Sequence, residues 1–209
     1  MIRIIIVDDH PVVRQGLMHV LSECRDILVV DEADNAQEAI SKITLNQYDI
    51  VLLDISLPDR DGLDVLKEIK RIKPRLPVLV LSVYSEEHYG YRAIRSGASG
   101  YLTKRSAPNE LVKAVRKLSQ GGRYISENLV DKMLYDIHYD SKPAYQALSN
   151  REYQVMLMIA SGKAVSEIAT ELTLSVKTIS THRVHILSKL ELKNNAEITC
   201  YAMRNQLIK

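Results

Sequence analysis

Three carboxylates stand at the ends of apolar runs in this chain. Asp8 and Asp9 follow the run Ile4 to Val7, and Asp54 closes a second run. Carboxylates that converge raise one another's pKa unless a cation joins them. A hard divalent ion with oxygen ligands removes this repulsion, and Mg²⁺ is the usual ion in phosphate chemistry. The three residues therefore predict a magnesium site.

A hydroxyl and an amine end two further apolar runs, at Ser82 and Lys104. A carboxylate can attack phosphorus and form an acyl phosphate if a metal and a cation neutralise the phosphoryl oxygens. An aspartate beside Mg²⁺, a hydroxyl and a lysine is the minimal set of groups for this chemistry. A solvated acidic loop would explain Asp8 and Asp9 alone, but not five polar groups at the ends of separate runs.

The apolar runs predict the elements that position these groups. Continuous apolar runs are typical of parallel strands covered on both faces, here at residues 2–7, 27–33, 49–54, 77–83 and 100–104. Segments with helical periodicity lie between and after them, at 11–23, 36–46, 62–73, 87–96 and 107–120. This order predicts an α/β fold with a doubly wound, five-stranded parallel sheet. The functional crevice of such a sheet lies at the carboxyl ends of its strands.

Length, charge and cysteine content limit the class of protein. The 209 residues suffice for two modest domains, and the net charge of +2 excludes a strongly basic coat. Cys24 and Cys200 lie far apart, which fits neither a disulfide framework nor a metal-ligand spacing, so buried or inert thiols are expected. No apolar run approaches membrane-spanning length. A cytoplasmic protein without membrane contact is expected.

The last third of the chain is predicted to be a small all-α domain. The predicted domains are residues 1–121, a linker at 122–146 with a short helix possible at 126–135, and residues 147–209. Ser149 and Glu152 have the spacing of a capping box at the start of the last domain. Three further helices are predicted at 165–172, 176–190 and 195–206. Two of them, joined by a short turn, predict a helix-turn-helix.

The second helix of this motif has one apolar and one polar face. Its core-facing residues are predicted to be Val176, Ile179, Ile186, Leu187 and Leu190. A helix in the major groove of double-stranded DNA would present the opposite face, where a thymine methyl group would give Val184 a partner. Arg183 could instead bridge within the domain, and a protein-binding or RNA-binding module is the alternative function. The predicted DNA-binding residues are Lys177, Thr178, Ser180, Thr181, Arg183, Val184, His185 and Lys189.

The first part of the chain resembles the receiver domain of two-component response regulators, which has a flavodoxin-like fold. The resemblance is carried by "VDDHP", "LLDISLPDRDG", "LSVY" and "GASGYLTK". It implies that Asp54 accepts the phosphoryl group. It also implies that Asp9 binds Mg²⁺ directly, Asp8 largely through a water, and Ser56 through its backbone carbonyl. A phosphatase of the haloacid-dehalogenase type is the rival, but "VDDHP" lacks its D-x-D-x-T pattern.

The same resemblance implies a switch. Ser82 would bond the phosphoryl group, Lys104 would pair with it, and the Tyr101 side chain would follow Ser82. A half-buried strand tyrosine is the alternative for Tyr101. Asp61 is expected to cap the third helix, and Asp59 to be solvated.

The last part of the chain, from "LSNRE" to "SKLEL", resembles the LuxR-type helix-turn-helix. The whole chain resembles the NarL/FixJ family of response regulators, and most closely its GacA/UvrY-like branch. The resemblance implies a transcription factor rather than an enzyme, with a sensor histidine kinase as its partner. Phosphorylation would free the recognition helix and promote a homodimer that reads an inverted repeat, with RNA polymerase as a further partner.

Two sets of residues follow from the resemblance in this last part. The family's base-contacting positions fall on Ser180, Thr181 and Val184. The family's dimerising last helix would use Ile198, Tyr201 and Ala202. Packing of that helix within its own domain is the alternative.

Overall fold

The computed structural model describes residues 1–138 and 143–208. The chain divides into two compact units, Met1–Tyr135 and Asp136–Lys209. The predicted linker at 122–146 includes residues 139–142, which lie outside the described residues. The domain bounds of 1–121 and 147–209 stay predictions. Among the described residues, no helix has both the length and the apolar character needed to cross a membrane.

The first unit is built on a five-stranded sheet in which every pairing is parallel. The strand order is β2-β1-β3-β4-β5, which confirms the doubly wound fold. The strands are β1 Ile2–Val7, β2 Ile27–Ala33, β3 Ile50–Asp54, β4 Val78–Ser82 and β5 Gly100–Thr103. The helices are α1 Pro11–Ser22, α2 Ala36–Leu45, α3 Gly62–Ile72, α4 Glu86–Arg95, α5 Pro108–Ser119 and α6 Glu127–His138.

The register of the sheet brings the polar strand ends to one edge. Strands β1, β3 and β4 are neighbours, and their apolar residues are buried on both faces because helices cover the sheet. Val7 of β1 pairs with Leu53 of β3. Asp54, the next residue of β3, pairs with Leu81 of β4. The residue after Val7, Asp54 and the residue after Leu81 therefore lie side by side at the carboxyl edge.

The segment after α5 extends the sheet and leads into α6. Tyr124 forms a parallel bridge with Gly100 on β5. The backbone N–H of Tyr101 donates to the Tyr124 carbonyl at 3.2 Å, and that of Tyr124 donates to the Ser99 carbonyl at 3.0 Å. This segment therefore occupies the outer edge of β5, where unpaired backbone groups would otherwise be exposed.

Helix α6 packs on α4 within the first unit. Glu86 accepts a hydrogen bond from the backbone N–H of Ser126 at 3.3 Å, and Ser126 Oγ accepts one from the Leu129 N–H at 3.2 Å. Leu129 is buried, and its Cδ2 lies 2.9 Å from the position that a Cβ on Gly90 would take. The absence of a side chain at residue 90 is what allows this close approach. The short helix possible at 126–135 is present and longer.

The second unit is helical, as the sequence predicts. A 3-10 helix at Ala144–Ala147 precedes α7 Asn150–Ala160, α8 Val165–Glu171, α9 Val176–Lys189 and α10 Asn195–Arg204. The capping box of Ser149 and Glu152 is present at the start of α7. Helix α7 is central because α8, α9 and α10 all pack against it. The turn between α8 and α9 forms the predicted helix-turn-helix.

Thr173 in this turn has a backbone conformation that disfavours its side chain. Its φ is 53°, in the left-handed region where a β-branched residue is strained. Thr173→Gly should raise the free energy of unfolding of the second unit by about 0.5 to 1 kcal/mol, because glycine adopts this region without steric cost. Chemical denaturation of the full chain measures the change. Thr170→Gly, at an exposed position inside α8, should lower stability, and a loss for both variants would contradict the strain.

Candidate phosphorylation site and DNA-binding helix

Two buried carboxylates and one lysine form the centre of the site in the first unit. Asp8 and Asp54 are each 1 % exposed. Lys104 Nζ lies 2.7 Å from Asp8 Oδ2 and 2.7 Å from Asp54 Oδ2. Asp9 is partly exposed beside them. The structure therefore brings together the four charged residues that the sequence placed at strand ends.

The negative charges in this site outnumber the positive ones. Burial raises the pKa of Asp54 above its usual value, although the positive charge of Lys104 opposes the shift. Burial alone would lower the pKa of Lys104, but its pairs with Asp54 and Asp8 outweigh burial and raise that pKa. One lysine between two buried carboxylates leaves net negative charge. A further cation would stabilise the ionised site.

The donor set fits a divalent ion. Asp8, Asp9, His10 and Asp54 each offer one ligand atom, and these atoms all lie within 4.8 Å of one another. Asp54 Oδ1 is buried and has no hydrogen-bond partner among the described residues. Carboxylate oxygens are the ligands that hard divalent ions prefer. The cluster therefore has the composition and the unsatisfied oxygen of a metal site.

His10 orders the loop that carries the acidic pair. Its backbone N–H donates to Asp8 Oδ1 at 2.9 Å, and its Nδ1 lies 2.7 Å from Asp9 Oδ1. Arg14 Nη1 donates to the Asp8 carbonyl at 2.6 Å. These contacts fix the two carboxylates at the end of β1.

The loop between β3 and α3 is held at both ends. Ser56 forms an antiparallel bridge with Asp61, which caps α3 by accepting from the Leu63 N–H at 2.9 Å. A Cβ on Gly62 would lie 2.4 Å from the Asp54 carbonyl oxygen, so only glycine permits this close return of the chain. The cap by Asp61 confirms the expectation for that residue.

Asp59 is exposed to solvent, as the sequence suggested, and it also binds the start of a helix. Its Oδ1 accepts from the backbone N–H of Ala36 at 2.9 Å, and its Oδ2 accepts from that of Gln37 at 3.1 Å. Asp59 therefore caps the N-terminus of α2 and ties the loop that carries Ser56 to that helix. The contact joins residues more than twenty positions apart in the sequence, and no local sequence pattern predicts it.

Ser82 and Tyr101 meet at the backbone of Tyr84. Ser82 is fully buried, and its Oγ accepts from the Tyr84 N–H at 3.1 Å. The Tyr101 hydroxyl donates to the Tyr84 carbonyl at 2.8 Å. Tyr101 is buried rather than half-buried, and this burial raises the pKa of its hydroxyl. The hydroxyl therefore stays protonated and can donate.

Most of the α9 residues predicted to bind DNA are exposed, and some of them also have partners within the second unit. The exposed residues of α9 are Val176, Lys177, Ser180, Thr181, Val184, His185, Ser188 and Lys189. Val176, predicted to face the core, is 52 % exposed. It begins the helix, where the neighbouring turn of helix that would cover it is absent.

Four of the predicted DNA-binding residues contact other parts of the second unit. Thr178 shares a 2.8 Å hydrogen bond with the side chain of Ser175, the N-cap of α9. Arg183 Nε donates to Asn195 Oδ1 at 2.5 Å, which is the bridge left open by the sequence. Lys189 Nζ and His185 Nδ1 both contact Glu152 of α7.

Glu152 anchors α9 to α7. Its Oε2 lies 2.7 Å from Lys189 Nζ, and its Oε1 lies 3.5 Å from His185 Nδ1. Burial acts to raise the pKa of Glu152, but the bonds from Lys189 and Ser149 outweigh it and lower that pKa. The internal contacts of Arg183 and Lys189 hold α9 in place, and their contacts with DNA stay a prediction.

Comparisons with known proteins place both units in families. Residues 4–116 match the model "Response regulator receiver domain", and residues 146–202 match "Bacterial regulatory proteins, luxR family". The chain is a NarL/FixJ-family response regulator. A receiver domain and a LuxR-type DNA-binding domain make it a transcription regulator rather than an enzyme.

The relatives of this response regulator match along nearly its whole length. It is 36 % identical to response regulator UvrY of Escherichia coli strain K12, with 99 % of this chain and 96 % of the relative covered. It is 34 % identical to response regulator GacA of Pseudomonas protegens, with 100 % and 98 % covered. Among solved structures, RcsB of Salmonella enterica serovar Typhimurium, bound to promoter rprA with the phosphomimetic BeF₃⁻, matches with a TM-score of 0.64 and 29 % identity, covering 96 % and 97 %.

The last helix of this response regulator buries most of the residues predicted to pair two copies. Ile198 and Ala202 are 0 % exposed, because α10 packs against α7 of its own unit. The Tyr201 hydroxyl accepts from the backbone N–H of Tyr145 at 3.1 Å. Ile198 and Ala202 are therefore covered by their own domain, which is the alternative that the sequence left open, and a dimer interface on α10 stays a prediction. The exposed residues of α10 include Asn195, Ala196, Cys200, Met203 and Arg204.

Proposed function

We propose that a sensor histidine kinase phosphorylates Asp54 and that the phosphoryl group gates binding of the chain to double-stranded DNA. The observation that carries this proposal is the state of the Asp54 carboxylate. One of its oxygens is paired with Lys104 at 2.7 Å, and the other is buried without a hydrogen-bond partner among the described residues. A buried, partly neutralised carboxylate with a free oxygen is suited to nucleophilic attack.

The surrounding residues have separate tasks in phosphoryl transfer. Asp8, Asp9 and Asp54, with the backbone carbonyl of Ser56, would hold Mg²⁺, whose charge when bound offsets that of the phosphoryl oxygens. An Asp54 oxygen attacks the phosphorus of a phosphohistidine, and the imidazole leaves as the P–N bond breaks. Lys104 then pairs with a phosphoryl oxygen.

Ser82 and Tyr101 transmit the effect of phosphorylation to the neighbouring helices and strands. The Ser82 oxygen accepts from Tyr84, which leaves the hydroxyl hydrogen available to a phosphoryl oxygen. A bond from Ser82 to the phosphoryl group would change the contact between Ser82 and the Tyr84 segment. That segment also accepts the hydrogen bond from the Tyr101 hydroxyl and lies just before α4. Phosphorylation thus favours a different arrangement of α4, β5 and α5, and the population shifts toward it.

The output is binding to an inverted repeat as a homodimer. Helix α9 presents Lys177, Ser180, Thr181 and Val184 to solvent, and no acidic residue occurs within α9, all of which is described. Such a face suits the major groove. Solved complexes of the relative RcsB include two dimers bound to two parallel DNAs. We place the regulator in the cytoplasm with its DNA, and RNA polymerase there is its further partner.

Phosphodonor-dependent DNA binding tests the proposal. Fluorescence anisotropy with genomic DNA fragments selected by the full chain should show about a tenfold gain in affinity after treatment with acetyl phosphate and Mg²⁺. Asp54→Asn should remove this gain because the amide cannot accept a phosphoryl group. Asp59→Asn, the same change in the same loop, should keep it. An undiminished gain in Asp54→Asn would refute the assignment of Asp54.

A further inference from the structure

The centre of the outward face of α9 carries a valine that its own domain leaves more than half exposed. Val184 is 57 % exposed. Lys177, Thr181, Val184 and Ser188 lie at spacings of four, three and four residues, so they form one stripe along the helix. Ser180 lies one turn before Val184 on the same face. A branched apolar side chain in the middle of a polar stripe gains free energy only when a partner covers it.

The hydroxyls beside Val184 have already used their hydrogens. Ser180 Oγ donates to the Val176 carbonyl at 2.8 Å, and Thr181 Oγ1 donates to the Lys177 carbonyl at 3.0 Å. Each hydroxyl has a single hydrogen, so toward solvent both offer oxygen lone pairs as acceptors. Thr181 adds a methyl group next to those of Val184. The centre of the face therefore consists of methyl groups and hydrogen-bond acceptors.

The centre of this face lacks the long side chains that donate hydrogen bonds to guanine or adenine. Arginine or lysine reads guanine by donating to its O6 and N7, and asparagine or glutamine reads adenine through N6 and N7. Helix α9, described in full, contains neither Asn nor Gln. Arg183 and Lys189 are bound to Asn195 and Glu152. Lys177, near the N-terminal end of the stripe, remains for phosphate contacts.

We propose that α9 reads T·A base pairs, with the thymine 5-methyl group packed against Val184 and Thr181. Among the four bases, only thymine presents a methyl group in the major groove. The adenine amino group of a T·A pair donates a hydrogen bond, which matches the acceptor oxygen of Ser180. A guanine offers two acceptors instead, and these face the oxygens of Ser180 and Thr181 without a donor between them. This inference rests on the proposed binding of DNA and names the base pair that is bound.

Uracil substitution isolates the methyl group. Sites are selected from a random duplex pool with the full chain after phosphodonor treatment, and each thymine of the best site is then replaced by deoxyuridine. Deoxyuridine pairs with adenine identically and lacks only the methyl group. At one thymine per half-site, wild-type binding should weaken about fourfold, the factor expected when one buried methyl group is lost. Fluorescence anisotropy gives the dissociation constants.

Val184→Ala should bind thymine and uracil sites about equally, because the packing partner of the methyl group is gone. Val176→Ala is the matched control, a second exposed valine at the rim of the same helix, and should keep the fourfold preference. A selected site without thymine in its half-sites, or unchanged discrimination in Val184→Ala, overturns the inference. Binding and its phosphodonor dependence are recorded in the same titrations, so failure of methyl recognition is distinguishable from failure of the proposed function.

Discussion

Lys104→Met should lower the free energy of unfolding of the first unit by about 3 kcal/mol at pH 7 in metal-free buffer. Lys104 Nζ lies 2.7 Å from an oxygen of Asp8 and 2.7 Å from an oxygen of Asp54, and both carboxylates are buried. Methionine retains most of the apolar stem but removes the charge. Two buried carboxylates are then left without a cation, which is the costly way to break a buried ion pair. Urea denaturation of the full chain measures the loss.

The loss should depend on pH in a defined direction. Burial already raises the pKa of Asp54 and Lys104 opposes that shift, so the pKa should rise further in Lys104→Met. A carboxyl whose folded-state pKa lies above its unfolded-state value binds more protons when folded, and stability then falls as pH rises between the two values. The deficit of Lys104→Met should therefore shrink as the pH falls toward about 4, the unfolded-state pKa of aspartate. It should persist in full above the raised pKa.

Two controls identify the buried charges as the cause. Lys113→Met removes a lysine that pairs with Glu110 on the exposed face of α5, and it should change stability by less than about 0.5 kcal/mol. Mg²⁺ at one hundred times its dissociation constant should return about 2.7 kcal/mol to a site that still binds it. Equal losses for Lys104→Met and Lys113→Met would contradict the role given to Lys104.

The fold and the polar groups of the candidate site follow from sequence because they depend on short-range patterns. Continuous apolar runs mark the strands, and a polar residue at the end of a run lies at the edge where the sheet ends. Asp8, Asp54, Ser82 and Lys104 obey this rule. Their mutual distances do not follow from it. That one lysine contacts two carboxylates depends on strand register and side-chain reach.

Several contacts that no local pattern predicts join residues far apart in the chain. Asp59 caps a helix that begins twenty-three residues earlier along the chain, and Tyr124 pairs with the edge of β5 through backbone hydrogen bonds. Ile198 and Ala202 belong to an apolar stripe. The sequence pattern is the same whether such a stripe packs against the helix's own domain or against a second copy of the chain. Only packing on α7 decides between them. Val176, predicted to face the core, is instead exposed, because an apolar residue at the start of a helix lacks the neighbours that would bury it.

The contact between Gly90 of α4 and Leu129 of α6 should behave as a coupled pair. Helix α4 follows Ser82, the proposed switch residue, and α6 leads along the chain to the second unit. Leu129→Ala should weaken the docking of α6 by about 2 to 3 kcal/mol, because it removes a buried side chain. Native-state hydrogen exchange of the α6 backbone amides should accelerate accordingly, while the sheet keeps its protection.

Gly90→Ala should also accelerate exchange in α6, for the opposite reason. Its Cβ would lie 2.7 Å from Glu86 Cγ and 2.9 Å from Leu129 Cδ2, too close without a shift of these side chains. Overpacking of this kind costs about 1 to 3 kcal/mol. Alanine favours a helix over glycine by up to about 1 kcal/mol, so faster exchange in α6 reports the contact and not damage to α4.

The double variant decides whether the two residues act through each other. Leu129→Ala vacates the space into which the new methyl group of Gly90→Ala projects, so the double variant should exchange more slowly than additivity predicts. The expected interaction energy is about 0.5 to 2 kcal/mol. Val130→Ala, at a position of α6 that is 41 % exposed, should leave exchange unchanged alone and add nothing to Gly90→Ala. Strict additivity of Gly90→Ala and Leu129→Ala would mean that α6 is held by other contacts, and that a shift of α4 does not reach it through this pair.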